Sequence, residues 1–121
     1  MASFRPGEPA SGARSGVRVR YAAMEAEGVL DVTVVRRVIR RHQPELEECY
    51  DEVAAAPRDP VVLRLEIDPR GVVSAARAES DEVPAEANEC ARAAALTWAF
   101  PEAEGATRVS APFRLGVPGE P

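Results

Sequence analysis

Two repeats run along the chain, one of helical period and one of strand period. In LDVTVVRRVIRRH the apolar positions Val35, Val38 and Ile39 recur at helical spacing, with His42 next on the same face. Arg36, Arg37, Arg40 and Arg41 fall on the other faces, and Asp31 stands where a helix cap belongs. Pro44 suits the first turn of a second helix, PELEECYDEVAAA, whose apolar face is Leu46, Cys49, Tyr50 and Val53. The pattern then changes. In VVLRLEIDPRGVVSAARAE, Val61, Leu63, Leu65 and Ile67 alternate with polar residues, as a one-sided strand requires. Asp68, Pro69, Arg70 and Gly71 form a turn, and the return strand has a less clean alternation that predicts a bulge near Ser74. PAEANECARAAALTW predicts a third helix, with Ala87, Cys90, Ala91 and Ala94 on one face, Trp98 at its end and Pro101 as its stop. In TRVSAPFRL, Val109, Ala111, Phe113 and Leu115 point one way, and Pro112 argues for an edge strand or a bulge. The predicted order is ααββαβ. This is an α+β fold, a small three-stranded antiparallel sheet with helices packed on one face.

These elements occupy residues 28 to 117. Residues 1 to 27 are rich in Pro, Gly, Ala and Arg, and that composition predicts a flexible tail or linker. Only VRVRY, residues 17 to 21, alternates well enough to admit a short strand. Residues 118 to 121 are read as a disordered C-terminus. The length of 121 residues suits one small domain. With aromatic residues at 5%, its core must be built of Val, Leu and Ala, and a cross-link would help so modest a core.

Charge narrows the function. The net charge is -5, which disfavours nucleic acid, because phosphate neutralisation dominates that binding. All basic residues are Arg, and the RRVIRR cluster reads as a solvated helix face. The arginines close the first helix and Glu45, Glu47 and Glu48 open the second, so each set complements a helix dipole. No apolar run approaches the roughly 20 residues that cross a bilayer, so the chain itself is not expected to insert into a membrane.

No catalytic constellation emerges, and the chain reads as a non-enzyme without cofactor or metal. There is no phosphate loop, no CxxC and no HExxH. With one His in the chain, a His-based metal site is implausible. A Cys–His nucleophile would need Cys49 or Cys90 beside His42, and Pro44 separates His42 from Cys49 at a helix boundary. His42 reads instead as a helix C-terminal residue facing the dipole. The two cysteines lie on different helices that pack on one sheet. The pattern leaves open a bonded pair, to which the loop-entropy model gives about 4 kcal/mol, and two separate buried thiols acting as small hydrophobes.

The stretches GVLDVTVVRRVIRRHQPELEECYDEV, VVLRLEIDPRGVVSAARAES, NECARAAALTWAFPEAEG and VSAPFRL, in this order, resemble the C-terminal domain of TonB and TolA. More closely, they resemble the AgmX/PglI C-terminal domain of myxobacterial envelope and gliding-motility proteins. The Cys-Tyr pair of the second helix, the single Cys of the third and the W-x-F-P ending carry that resemblance, which spans roughly residues 28 to 116. It implies a Cys49–Cys90 disulfide and an oxidising, periplasmic setting. It implies a protein-binding module for energy transduction, transport or gliding. The last strand, Arg108, Val109, Ser110, Ala111, Pro112, Phe113 and Arg114, would offer an open edge to a segment of an outer-membrane or envelope protein. It leaves a homodimer open. Such modules usually follow a membrane anchor, which is not seen in this chain, and the turn of TonB is replaced here by ESDEVP. The alternative is a cytoplasmic interaction or regulatory domain with free thiols.

Overall fold

A computed structural model describes residues 16–117. In chain order the elements are β1 (Arg18–Tyr21), β2 (Glu25–Gly28), α1 (Val32–Arg41), α2 (Gln43–Cys49), β3 (Val61–Ile67), β4 (Val73–Glu79), α3 (Ala85–Ala95) and β5 (Thr107–Gly116). The fold is α+β, and every strand pairing is antiparallel.

The sheet has five strands where the sequence predicts three. Its order is β1-β5-β3-β4, and β2 pairs with the same side of β5 as β1 does. Residues 18 to 27, assigned from composition to the tail, are therefore part of the domain. Residues 1 to 15 and 118 to 121, read as tail and disordered terminus, lie outside the described residues. The composition argument fails at β1 and β2 for a physical reason. A short strand draws its backbone hydrogen bonds from a neighbour, and half its side chains suffice to reach the core. Val17, Val19 and Met24 do so, at 4%, 3% and 7% exposure.

Helix α1 forms as its cap and spacing predict. Asp31 Oδ2 accepts the Thr33 N–H at 2.9 Å, and Val35, Val38 and Ile39 are buried. Helix α2 stops at Cys49, shorter than the sequence suggests. Its final turn tightens, with the Asp51 N–H donating to the Glu48 carbonyl and that of Val53 to Tyr50. This turn drives Tyr50 into the core, where it meets Phe113 edge-on at 5.6 Å between centroids. The phenol donates to Asn88 Oδ1 at 2.8 Å, and burial pushes its pKa up. The buried stripe of α3 is Ala87, Ala91 and Ala95, rotated from the predicted face, which leaves Cys90 exposed and Ala94 half-buried.

The hairpin turns where predicted. The Asp68 N–H donates to the Val72 carbonyl at 2.9 Å, and Gly71 has φ +89°. A Cβ on Gly71 would lie 2.0 Å from the Phe100 carbonyl oxygen, so this site needs glycine twice over. The close approach is structural, because the Phe100 N–H donates to the Gly71 carbonyl and the Ala103 N–H to Pro69. The segment after α3 is thus tied to the hairpin. The register of β3 with β4 shifts past Ser74, which is the predicted bulge.

Candidate partner-binding edge and the disulfide clamp

Which strand edge is open follows from backbone direction. In antiparallel ladders the N–H and C=O groups of alternate residues face alternate neighbours. The Pro112 carbonyl accepts from Ala22 N–H at 2.9 Å, and the Ala106 carbonyl from Val29. Even-numbered residues of β5 therefore face β1 and β2, and odd-numbered ones face β3. Strand β5 is paired along both sides: Val61 to Ile67 on one, and Arg18 to Tyr21 and Glu25 to Gly28 on the other.

This corrects the expected binding edge. Arg108, Val109, Ser110, Ala111, Pro112, Phe113 and Arg114 belong to an interior strand, so no partner can join β5 while β1 and β2 are in place. Pro112 fits because its missing N–H falls where β1 gives way to β2. Three residues, Ala22 to Met24, span that break, so no donor is required there. The proline signal was real, but the irregularity lies in the neighbouring strands.

Strand β1 has its outer side closed by α2. The Val19 N–H donates to Glu47 Oε2 at 2.9 Å, and Gln43 Nε2 donates to the Val19 carbonyl at 3.0 Å. Two side chains thus occupy groups that would otherwise template another strand. Among the described residues, strand β4 has no such cover at Ala76 and Ala78, although Val72 just before it bridges Ala99. Counting outward through β5 and β3, the backbone groups of Ala75, Arg77 and Glu79 face β3, while those of Ala76 and Ala78 face away. Beside that edge runs a groove of about 440 Å³, lined by Arg77, Ala78, Ser80, Val83, Asn88 and Arg92 among others. Helix α3 forms its far wall.

The outer sheet face, opposite the helices, is polar. Arg64 Nε donates to Glu79 Oε1 at 2.9 Å, and Arg77 lies 3.3 Å from the other oxygen. The hydrogen bond from Arg64 holds the Glu79 carboxyl below its usual range, and the charges of Arg64 and Arg77 add to it. On this face the row Glu27, Arg108, Glu66 alternates in sign across three strands.

On the opposite layer, Cys49 and Cys90 form a disulfide between the end of α2 and the middle of α3, with Cα atoms 5.5 Å apart. Both sulfurs are consumed in that bond, so neither serves as a nucleophile with His42. The imidazole is engaged elsewhere. It stacks on Trp98 at 4.7 Å, and Nδ1 lies 2.8 Å from Glu45 Oε2. Trp98 Nε1 donates to the other oxygen of Glu45 at 2.9 Å. Burial acts to raise the Glu45 carboxyl, but the hydrogen bonds from His42 and Trp98 together outweigh it and hold the pKa down. An acidic groove beside the disulfide is lined by Glu48, Asp51, Glu52 and Glu86. Among the described residues no group of three or more His, Cys, Asp or Glu is placed to hold a metal ion. Nor is any described helix long and apolar enough to cross a membrane.

Sequence reasoning missed two features: the strand pair that covers β5, and the open edge of β4. The alternation of VRVRY signalled the first. Nothing local signals the second, since an edge is defined by which strands are absent beside it. Comparison with protein-family models, curated proteins and solved structures gave no match.

Proposed function

We propose that this chain is a non-catalytic, extracytoplasmic protein-binding module of the TonB-like kind. It would serve an envelope complex for energy transduction or gliding, taking up an extended partner segment by strand addition. The observation that carries this reading is the uncovered β4 edge. Outward backbone groups at Ala76 and Ala78 lie beside an open groove, in a sheet whose β1 edge is closed by side chains. Main-chain hydrogen bonds would supply affinity there, and the groove would select side chains. The site is β4 rather than the last strand. The Cys49–Cys90 disulfide supports the extracytoplasmic part, because such bonds persist in oxidising compartments. It weighs against a cytoplasmic domain with free thiols.

Photo-crosslinking in the source cells tests the proposal. A photoreactive residue at Arg77, whose side chain is exposed at this edge, should give an adduct with another polypeptide chain in the envelope fraction, and one at Ser110 should not. Adducts from position 110 alone, or none from either, would overturn it.

A further inference from the structure

The β4 edge carries a charge pattern that fits a particular strand. Arg77 and Glu79 lie two residues apart on the outer face, with Ala78 between them on the inner. A strand added antiparallel would place one residue opposite Glu79 and, two residues later, another opposite Arg77. Charge complementarity asks for a basic residue first and an acidic one second. β4 itself reads Arg77-Ala78-Glu79 in that order.

From this we infer that the edge pairs with β4 of a second copy of the chain, giving a two-fold dimer with one continuous sheet. It rests on reading β4 as the binding edge. The register follows from elimination. With the two-fold axis at Arg77, two guanidiniums stand directly opposed. With the axis at Glu79, two carboxylates do. With the axis at Ala76, Arg77 meets Ala75 and Glu79 meets Val73, and no charges are matched. With the axis at Ala78, Arg77 of each copy faces Glu79 of the other, twice by symmetry. That register also sets the outward backbone groups of Ala78 against their own copies and those of Ala76 against Ser80, whose carbonyl keeps Asn88 Nδ2 at 3.1 Å as a second donor. The bond pattern is therefore satisfied together with the charges. Arg77 and Glu79 fall at the non-hydrogen-bonded sites of the new ladder, where facing side chains approach most closely. The groove between β4 and α3 leaves room for the incoming strand. Charged residues on an edge usually discourage pairing. Here their order makes them self-complementary in one register.

Sedimentation of the purified protein from micromolar to millimolar concentration tests the inference. The expected result is a monomer–dimer equilibrium that weakens as salt rises. Arg77→Glu or Glu79→Arg should each weaken association about tenfold, since two attractive cross-strand pairs become repulsive. The double variant R77E/E79R should restore it to near the starting value, because the swapped charges again oppose each other. Ala78→Pro removes an outward N–H on the two-fold axis without removing a bond to β3. It should abolish the dimer while the thermal unfolding curve of the monomer stays cooperative. A monomer at every concentration would overturn self-pairing. So would a dimer indifferent to Ala78→Pro, or one that the double variant fails to restore. The purified protein contains no other polypeptide, so a monomer would leave capture of a different strand standing. Failure of that wider reading would appear in the crosslinking experiment instead.

Discussion

Glu45 shows how much one side chain can join. Its two oxygens reach His42 at the junction of α1 and α2 and Trp98 just beyond α3. The carboxyl is held below its usual range, so the sign of its contribution is set. The stabilisation is complete above the unfolded carboxyl pKa, near 4.3, and is lost as pH falls through the lowered folded value. Its side chain is 45% exposed, so solvent screening keeps the effect to about 1 kcal/mol or less. We expect Glu45→Gln to lower the urea midpoint slightly at neutral pH. The gap from the parent protein should close as pH falls below the ordinary carboxylate range. A gap independent of pH would show that the charge plays no part. His42 was legible as a helix-end residue, and its partners were not. The residue it stacks on lies far along the chain, and no spacing rule connects them.

At the scale of elements, the N-terminal strands matter most. They occupy the side of β5 that would otherwise be open, and they bury Val17, Val19 and Met24. A chain beginning at Gly28 matches the domain that the sequence suggested, and we expect it to be unstable. Three buried apolar side chains at roughly 1.5 kcal/mol or more each imply a loss of at least about 4 kcal/mol. The uncovered β5 edge should also promote association. Thermal melts and size-exclusion chromatography of the shortened and longer chains would check this. Equal melting temperatures would mean that β1 and β2 are only laid against the domain. The strands β3 and β5 and the first helix were legible because each carries its own period over seven residues or more, and β4 because the turn after β3 announces a return strand. β1 and β2 span four residues each, too short for a period to separate them from a linker.

Over the whole molecule, the disulfide spans a sequence separation of 41 and joins the helices that precede and follow the β3–β4 hairpin in the chain. The loop-entropy model puts its contribution at about 4 kcal/mol. For a domain of this size that is a large part of total stability. Reduction should therefore shift the urea midpoint strongly downward while the core around Tyr50 and Phe113 still directs the same fold. Comparing oxidised and reduced protein by urea unfolding measures it. Coincident curves would show that the bond only decorates the helix layer. The sequence left bonded cysteines and buried thiols equally open. It also placed Cys90 on the packed face of α3, and in the structure that residue sits on the rim instead.

What repeats locally was fixed along the chain: the existence of three helices and the cap of the first, the hairpin with its glycine turn and bulge, and the inward residues of the last strand. These follow from period, propensity and turn chemistry, which act over a few residues. The tertiary structure alone decided which strands neighbour which. That settled the five-stranded sheet, the interior position of β5, the bonding of Cys49 to Cys90, and the exposure of the β4 edge. Each is a relation between segments far apart in the chain. Such relations are set by how buried faces meet, and no local pattern records them.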